Sequence, residues 1–531
     1  MTAMPLVPHT THPAAALAHD QLRALGAGED GIELVVDWSG PVALPLPGED
    51  LVQAACGIMH VHGRARGGPS PLAVDYATAV AGVLGAQGVL AAEFARARGG
   101  RVHAVRTSVA QAALLAVGQY LACGSVEPPP ELGAPPPFTS ADSVRFEIET
   151  LNAEDWQRFW RAAGAREEAL RAGWEPFVQR FATAVCPLPV ALHEVLAGLP
   201  FAVIAEAGVR YGVSVVPLAS HPPVPLWTFG PLGGEPALSD MDRAGTVGTV
   251  DGVAPLHGVR VVESTRRVQG PLAGHVLAML GADVLRIEPP GGDPARGVPP
   301  LTGGVSARFA ALNAGKRVVQ LDLAHRDGRA VARELVASAD VFLHNWAPGR
   351  AESWLMTAHD LAAVRPGLVY AAASGWGSHL GETPPLGTDY VVQAHSGLAA
   401  ALRPPGGAPA PSLLTLTDVL GGLVCAHGVL AALLRRARTG EGARVDTSLL
   451  SATGAIPRHR REFHRPLRTR DGHVAAPSAS VLDASRWSTA ELLDLLRERD
   501  VPSAAVAADL GVLAADPRFA AAIHRPPWEF A

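Results

Sequence analysis

Lysine is almost absent from this chain: among 531 residues, Lys316 stands alone, and the remaining positive charge is arginine. Compositional drift accounts for an arginine-only chain. A lysine kept beside Arg317 also points to a phosphate contact. Cysteine is scarce as well. Cys56, Cys123, Cys186 and Cys425 are far apart and form no C-x-x-C, which argues against a disulfide framework or a zinc site, and no metal is expected. Net charge is −6 with no polybasic run, so a nucleic-acid partner is not expected. The most apolar stretch, Val419 to Leu434, is interrupted by His427 and reads as too short to span a bilayer. Met1 to Asp20 has neither a basic start nor a long apolar run, so no signal peptide is read there. The expected location is the cytoplasm, without membrane attachment. No G-x-G-x-x-G occurs, so a dinucleotide fingerprint is not supported.

What is present is a large apolar fraction, 48%, against 18% charged residues. That suffices for sizeable cores, and the length calls for more than one domain. Two distant stretches are copies of each other. A shift of 340 positions, the distance from Gln53 to Gln393, aligns them without a gap. Gly57 falls on Gly397, Gly82 on Gly422, and Gly88 to Ala92 on Gly428 to Ala432. Roughly a third of positions match over about 60 residues, a period too long for a solenoid and suited to duplication of a domain. Asp418 aligns with Thr78, and Asp389 with Glu49. One copy carries an acid that the other lacks, which suggests one working site and one structural half.

Along the chain, residues 1–30 read as a flexible lead-in. Residues 31–216 form the first half, with a strand at Ile32 to Val36 and helices at Leu51 to Met59 and Tyr76 to Arg98. Residues 217–254, rich in Pro and Gly, read as a linker. Residues 255–531 form the second half. Strands at Val259 to Val262, Val284 to Ile287, Val318 to Leu321, Val341 to Leu343 and Leu368 to Tyr370 alternate with helices. That alternation predicts an α/β fold with a doubly wound parallel sheet. Single helices are predicted over Tyr390 to Ala401 and Val419 to Arg436.

Ligands of such sheets bind beyond the carboxyl ends of the strands. The segments Ser264 to Pro271, Glu288 to Asp293 and His344 to Arg350 fall there. They read either as turns that only close the sheet or as a cradle for a base and phosphates. In the cradle reading Trp346 stacks, Asn345 hydrogen-bonds and basic groups supply charge.

The ordered motifs are specific. Pro255 to Val262, Gln269-Gly270-Pro271, Leu280 to Val284 and Ile287 to Asp293 come first. Leu312-Asn313, Gly315-Lys316-Arg317 and Leu321 to Leu323 follow. Then come Asn345 to Gly349, Ser374 to Gly377, Gly387-Thr388-Asp389, Gln393-Ala394, Ser396-Gly397 and Asp418 with Gly421-Gly422. Over about 255–455 this order resembles the class III CoA-transferases, a group that includes formyl-CoA transferase, carnitine CoA-transferase and the α-methylacyl-CoA racemases. The first half resembles only the later part of the family, from Gln53-Ala54 onward, as a partial, degenerate copy.

The resemblance implies a Rossmann-like fold, coenzyme A as substrate and acyl carrier, and an acyl-CoA with a carboxylic acid as partners. It implies that Asp418 is the nucleophile, forming aspartyl anhydride and thioester intermediates. By residue type alone, Asp418 also reads as a helix cap. Asp389 aligns with a family acid near the site, and reads equally as a cap of the helix that follows. Family contacts to coenzyme A map to Val268, Gln269, Asn345 and Trp346. Arginines that some members carry at the positions of Pro289 and Ser353 are lost, and Arg350 is expected to substitute. The racemases carry a histidine just before the acid at Asp389. Here it is Thr388, which cannot serve as a base at neutral pH, so two-base racemisation is disfavoured. The glycine-rich lid is not found, and the second half is short after residue 455. The halves are therefore expected to complement each other, either as a pseudo-dimer in one chain or within a homodimer. Three readings stay open: CoA transfer, isomerisation with Asp418 as a single base, and CoA binding without turnover.

Overall fold

The computed structural model describes residues 12–28, 31–124, 133–232, 254–459, 461–479 and 482–531. Its largest sheet has seven strands. Six are parallel: Arg260–Ser264, Asp283–Glu288, Arg317–Gln320, Val341–His344, Val369–Ser374 and Ala443–Ser448. Across the sheet the Arg317 strand is outermost. The Asp283, Arg260, Val341, Val369 and Ala443 strands follow in that order. Val261, Val262, Phe342, Leu343, Val369 and Ala371 are all buried, as expected of strands covered on both faces. The last position is taken by Thr228–Pro231, antiparallel to Ala443–Ser448. This strand lies in the segment read as a linker. A Pro/Gly-rich composition marks irregular backbone but does not exclude an edge strand, where a proline is tolerated. Residues 233–253 of that segment lie outside the described residues.

Two long helices, Tyr76–Ala97 and Leu416–Thr439, pack against each other at the centre. They are apolar nearly all round because almost every side of each is covered. By length and composition both could cross a membrane, which corrects the expectation of too short a stretch. Both are buried inside the protein instead. Between them, the Tyr76 hydroxyl donates to the Leu416 carbonyl (3.1 Å), and Gln87 Nε2 to the Leu423 carbonyl (2.7 Å).

Their surroundings repeat. Trp528 Nε1 donates to the Leu84 carbonyl at 2.7 Å, and Trp227 Nε1 to the Val424 carbonyl at 3.0 Å. A Cβ on Gly88 would strike Val105 and Trp528; one on Gly428 would strike Val445 and Trp227. Strand Glu33–Asp37 runs parallel to Ala104–Ser108, and Glu529–Phe530 closes that small sheet antiparallel. It thus matches the Val369, Ala443 and Thr228 strands of the large sheet.

The helices predicted at Leu51 to Met59 and Tyr390 to Ala401 are each broken. They form Glu49–Ala55 with Ile58–Gly63, and Asp389–His395 with Leu398–Ala401. The breaks fall at Gly57 (φ 86°) and Gly397 (φ 82°), in the left-handed region that hydrophobic periodicity does not register. The flexible lead-in is corrected as well. Pro13–Ala24 is a helix with proline in its first turn, capped by His12. It buries Ala14, Ala18 and Leu22 against the first long helix. Gly82 lets Leu17 and Ala14 approach, just as Gly422 lets Leu272 and Gln269 approach. The Pro13 helix therefore stands where Gln269–Met279 stands in the second half. Residues 1–11 lie outside the described residues.

The halves are interlaced. A small sheet of Phe138–Thr139, Arg145–Glu149 and Ser214–Pro217, covered by helices Ala153–Ala163 and Glu167–Thr183, belongs to the first half. It leans on the second: the Ala219 amide bonds the Ala394 carbonyl (3.0 Å), and the Tyr390 hydroxyl the Arg180 carbonyl (3.1 Å). A shorter counterpart, Leu467–Arg468, His473–Ala475 and Ala504–Ala505 with helix Thr489–Arg497, leans on the first. There the Ala507 amide bonds the Ala54 carbonyl (3.0 Å).

Candidate active site

The strand order reverses between Arg260–Ser264 and Val341–His344, and the loops leaving their carboxyl ends part there to form a crevice. Asn345 ties the two loops together. Its Oδ1 accepts from the Arg266 amide and its Nδ2 donates to the Arg266 carbonyl, both at 2.8 Å. Gly270 makes this approach available, since a Cβ there would stand 3.0 Å from Asn345 Cγ. Trp346 donates to Ser264 Oγ (3.0 Å) and stacks on His344 with centroids 4.4 Å apart. Arg267 follows with φ 67°, and Val268 begins helix Gln269–Met279. Gln269 Nε2 donates to the Ser374 carbonyl (3.2 Å), and its side chain crosses Gly421 of the second long helix.

Asp418 lies three residues before Gly421, in the first turn of that helix, and is 9% exposed. Among the described residues its carboxylate has no hydrogen bond. Its amide is held by Asp389, whose Oδ2 accepts from Asp418 N (2.7 Å) and Thr417 Oγ1 (2.8 Å). The other Asp389 oxygen accepts from Gln393, and Gln393 is fixed in turn by the Ser412 amide (2.8 Å). Asp389 is wholly buried. Burial pushes both carboxyls up. For Asp418 the negative charge of Asp389 adds to this and the Arg267 guanidinium opposes it. The two acids titrate as a pair.

The first half has the same scaffold with a threonine in place of Asp418. Glu49 accepts from the amides of Ala77 (2.8 Å) and Thr78 (2.9 Å), and from Thr78 Oγ1 (2.6 Å). Gln53 is fixed by the Leu72 amide (2.8 Å). Arg461, from the second half, bridges Asp50 and Asp75 beside this place. A cavity of about 740 Å³ lies between the first half and the C-terminal segment, lined by Leu44, Ala55, Val512 and Phe519 among others. It adjoins neither Asp418 nor the crevice loops, and volume is a weaker guide to chemistry than the placed carboxylate.

The sequence model of CoA-transferase family III matches residues 39–221 and 256–525. The chain belongs to CoA-transferase family III. It is 36% identical over 211 residues to acetyl-CoA:oxalate CoA-transferase of Acetobacter aceti, covering 39% of this chain and 53% of that protein. It is 34% identical over 210 residues to succinate–glutarate CoA-transferase of Agrobacterium fabrum, covering 38% and 52%. The chain thus spans about half the length of the curated relatives it matches. Among solved structures, a CaiB/BaiF family protein from Brucella suis is 25% identical. That likeness covers 51% of this chain and 88% of the other, at a TM-score of 0.46.

Within this family III chain, the residues singled out by motif fall in different places. Val268, Gln269, Asn345 and Trp346 meet at the crevice. Arg350 is exposed at its mouth, its guanidinium over the Trp354 ring (5.2 Å). Lys316 is a correction. Its Nζ is buried and bonds Glu263 (2.9 Å), the Pro271 carbonyl (2.7 Å) and Asn313 (3.1 Å), so no valence is left for a phosphate. Arg317 is another. It pairs with Asp283 (2.6 Å) at the amino ends of the strands, away from the crevice. Asp389 is wholly buried and holds the Asp418 amide.

The motifs did not single out Arg267 or the first half's contribution. Thr388 Oγ1 donates to Glu149 (2.6 Å), which also pairs with Arg180 (3.1 Å). Both belong to the small sheet and its helix, more than 200 residues away, where no local pattern links them to Asp418. The residues at the crevice fit coenzyme A. Arg266, Arg267 and Arg350 are exposed and form no salt bridge among the described residues, and Trp346 is half-buried beside them.

Proposed function

We propose that the protein transfers CoA between an acyl-CoA and a carboxylic acid, with Asp418 as nucleophile. The observation that carries this reading is the Asp418 carboxylate: buried, without a hydrogen bond among the described residues, and under the charge of Arg267 at the crevice. A desolvated carboxylate held by its backbone alone keeps its lone pairs for attack. It attacks the thioester carbonyl and expels CoA thiolate, giving a mixed anhydride. The thiolate then attacks the Asp418 carbonyl and releases the donor acid, leaving an aspartyl-CoA thioester. The acceptor carboxylate displaces thiolate from this thioester, and thiolate takes the new acyl group from the resulting anhydride. Asp418 is restored, and every intermediate is an activated acyl group. Val268, Gln269, Asn345, Trp346, Arg267 and Arg350 would hold the CoA. Lys316 and Arg317 have no part in it.

The strand order supports a doubly wound sheet, and the contacts repeated at a shift of 340 support a duplicated domain forming a pseudo-dimer in one chain. Thr388 is spent on Glu149, which supports transfer over two-base racemisation.

Hydroxylamine trapping tests the reading. Incubation with an acyl-CoA and hydroxylamine is expected to yield a hydroxamate at Asp418, found by peptide mass. Absence of the hydroxamate, with deuterium entering the substrate α-carbon, would replace transfer by isomerisation. Absence of both, with CoA still bound, would leave a binding protein.

A further inference from the structure

Three histidines meet outside the crevice loops. His221 follows the small sheet of the first half. His379 lies in the loop after strand Val369–Ser374, and His395 ends the helix that begins with Asp389. One ring nitrogen of each lies within 4.8 Å of the others. The rings of His221 and His395 are stacked with centroids 3.9 Å apart, and that of His379 is edge-on to both at 6.2 and 5.6 Å. His395 Nε2 is buried without a hydrogen-bond partner among the described residues. A buried ring nitrogen left unsatisfied calls for an explanation. His379 is exposed, so the cluster opens to solvent.

We propose that His221, His379 and His395 form a binding site for a borderline divalent cation, best suited to zinc, which staples the two halves together. Three imidazoles with one open position are a common zinc set. Ligands at about 2.0–2.1 Å from a tetrahedral zinc stand about 3.3 Å apart, so the present spacing must close by an ångström or so. Rotation of the exposed His379 ring and unstacking of His221 from His395 supply that movement. The four cysteines are buried and do not compete. His221 comes from the chain that crosses over from the first half, one residue past Ser220, which sits against Gly397. The metal would therefore fix the 375–387 loop, and with it the start of the Asp389 helix, to the first half. The scarcity of clustered cysteines gave no hint of such a site, because its ligands are histidines far apart in sequence.

The test uses the full chain, free of any affinity tag and stripped with a chelator, titrated with Zn²⁺ alone by calorimetry. One equivalent is expected to bind. His379→Ala and His221→Ala should each weaken binding at least tenfold, while His524→Ala, at an exposed position elsewhere, should not. Since His379 is exposed, its loss should leave the fold intact, as circular dichroism would check. Co²⁺ in place of zinc should give a tetrahedral visible spectrum that His379→Ala abolishes. No stoichiometric binding, or binding unaffected by the His379 and His221 substitutions, would overturn the site. The readouts need no acyl transfer, so they stand apart from the transferase reading.

Discussion

Asp418→Asn is expected to lower activity and raise stability together. The amide is isosteric, and the carboxylate has no hydrogen bond among the described residues, so no partner is stranded. Without the nucleophile, acyl exchange should fall by at least about a thousandfold. The stability effect follows from burial and from Asp389, which raise the Asp418 pKa above its ordinary 3.8. A carboxyl that holds its proton more tightly when folded contributes stability below 3.8. That contribution is lost as pH rises through the folded value. At neutral pH the charge is therefore a cost, capped by protonation. Taking up a proton at pH 7 costs about 4 kcal/mol for a group of ordinary pKa 3.8, at 1.36 kcal/mol per unit.

Asparagine removes this cost but buries an unpartnered amide, at about 1–3 kcal/mol. That second cost does not depend on pH. The stability difference between mutant and wild type should thus grow between pH 4 and pH 7, by up to about 4 kcal/mol. Urea denaturation followed by circular dichroism, on both proteins across that range, reads it directly. A difference that stays flat with pH would refute the strained carboxylate. Turnover within tenfold of wild type would refute the nucleophile.

Asp389→Asn keeps an oxygen for the Asp418 amide but sets its new NH₂ against Gln393. Exchange should fall about ten- to thirtyfold, with the hydroxamate still forming at Asp418; a loss as deep as that of Asp418→Asn would make Asp389 part of the chemistry. Arg267→Ala removes the cation that lowers the Asp418 pKa, so the acid limb of kcat/KM should move to higher pH; an unmoved limb would detach Arg267 from the site. Thr78→Ala should leave turnover within about threefold, a small barrier change, and a hundredfold fall with an intact fold would reveal a second site. A 255–531 fragment exposes the face of the Leu416–Thr439 helix that Tyr76 and Gln87 cover and lacks Glu149. It should be insoluble or inactive alone and recover activity on co-expression with 1–250; a soluble, active fragment would sink complementation.

The alternating strands of the second half could be read in sequence because each buried run is local and bounded by turns. Asp418 could be singled out because the motifs around it are contiguous. What stayed hidden depends on direction or distance. Gly315-Lys316-Arg317 announces basic chemistry, but only the three-dimensional path shows Lys316 turned onto Glu263 and Arg317 at the wrong ends of the strands. Gly57 and Gly397 sit inside apolar patterns that continue past them, so the breaks are invisible to periodicity. Trp227 and Trp528 cover their long helices from 197 and 444 residues away, and nothing near either tryptophan names its partner.

The paired scaffolds show what the acid costs. Glu49 and Asp389 hold the first turn of a long helix through the same backbone amides, and Gln53 and Gln393 brace them in the same way. At the next position the halves diverge. The Thr78 hydroxyl turns back and bonds Glu49, so its polar atom is satisfied within the scaffold. The Asp418 carboxylate cannot do so, because Asp389 already carries negative charge and the two would repel. It is left facing the crevice with only the charge of Arg267 in its favour. Threonine in place of the aspartate thus replaces a buried repulsion with a hydrogen bond. On this reasoning the first turn that carries Thr78 is the steadier of the two, and the one that carries Asp418 holds an unsatisfied acid beside the crevice.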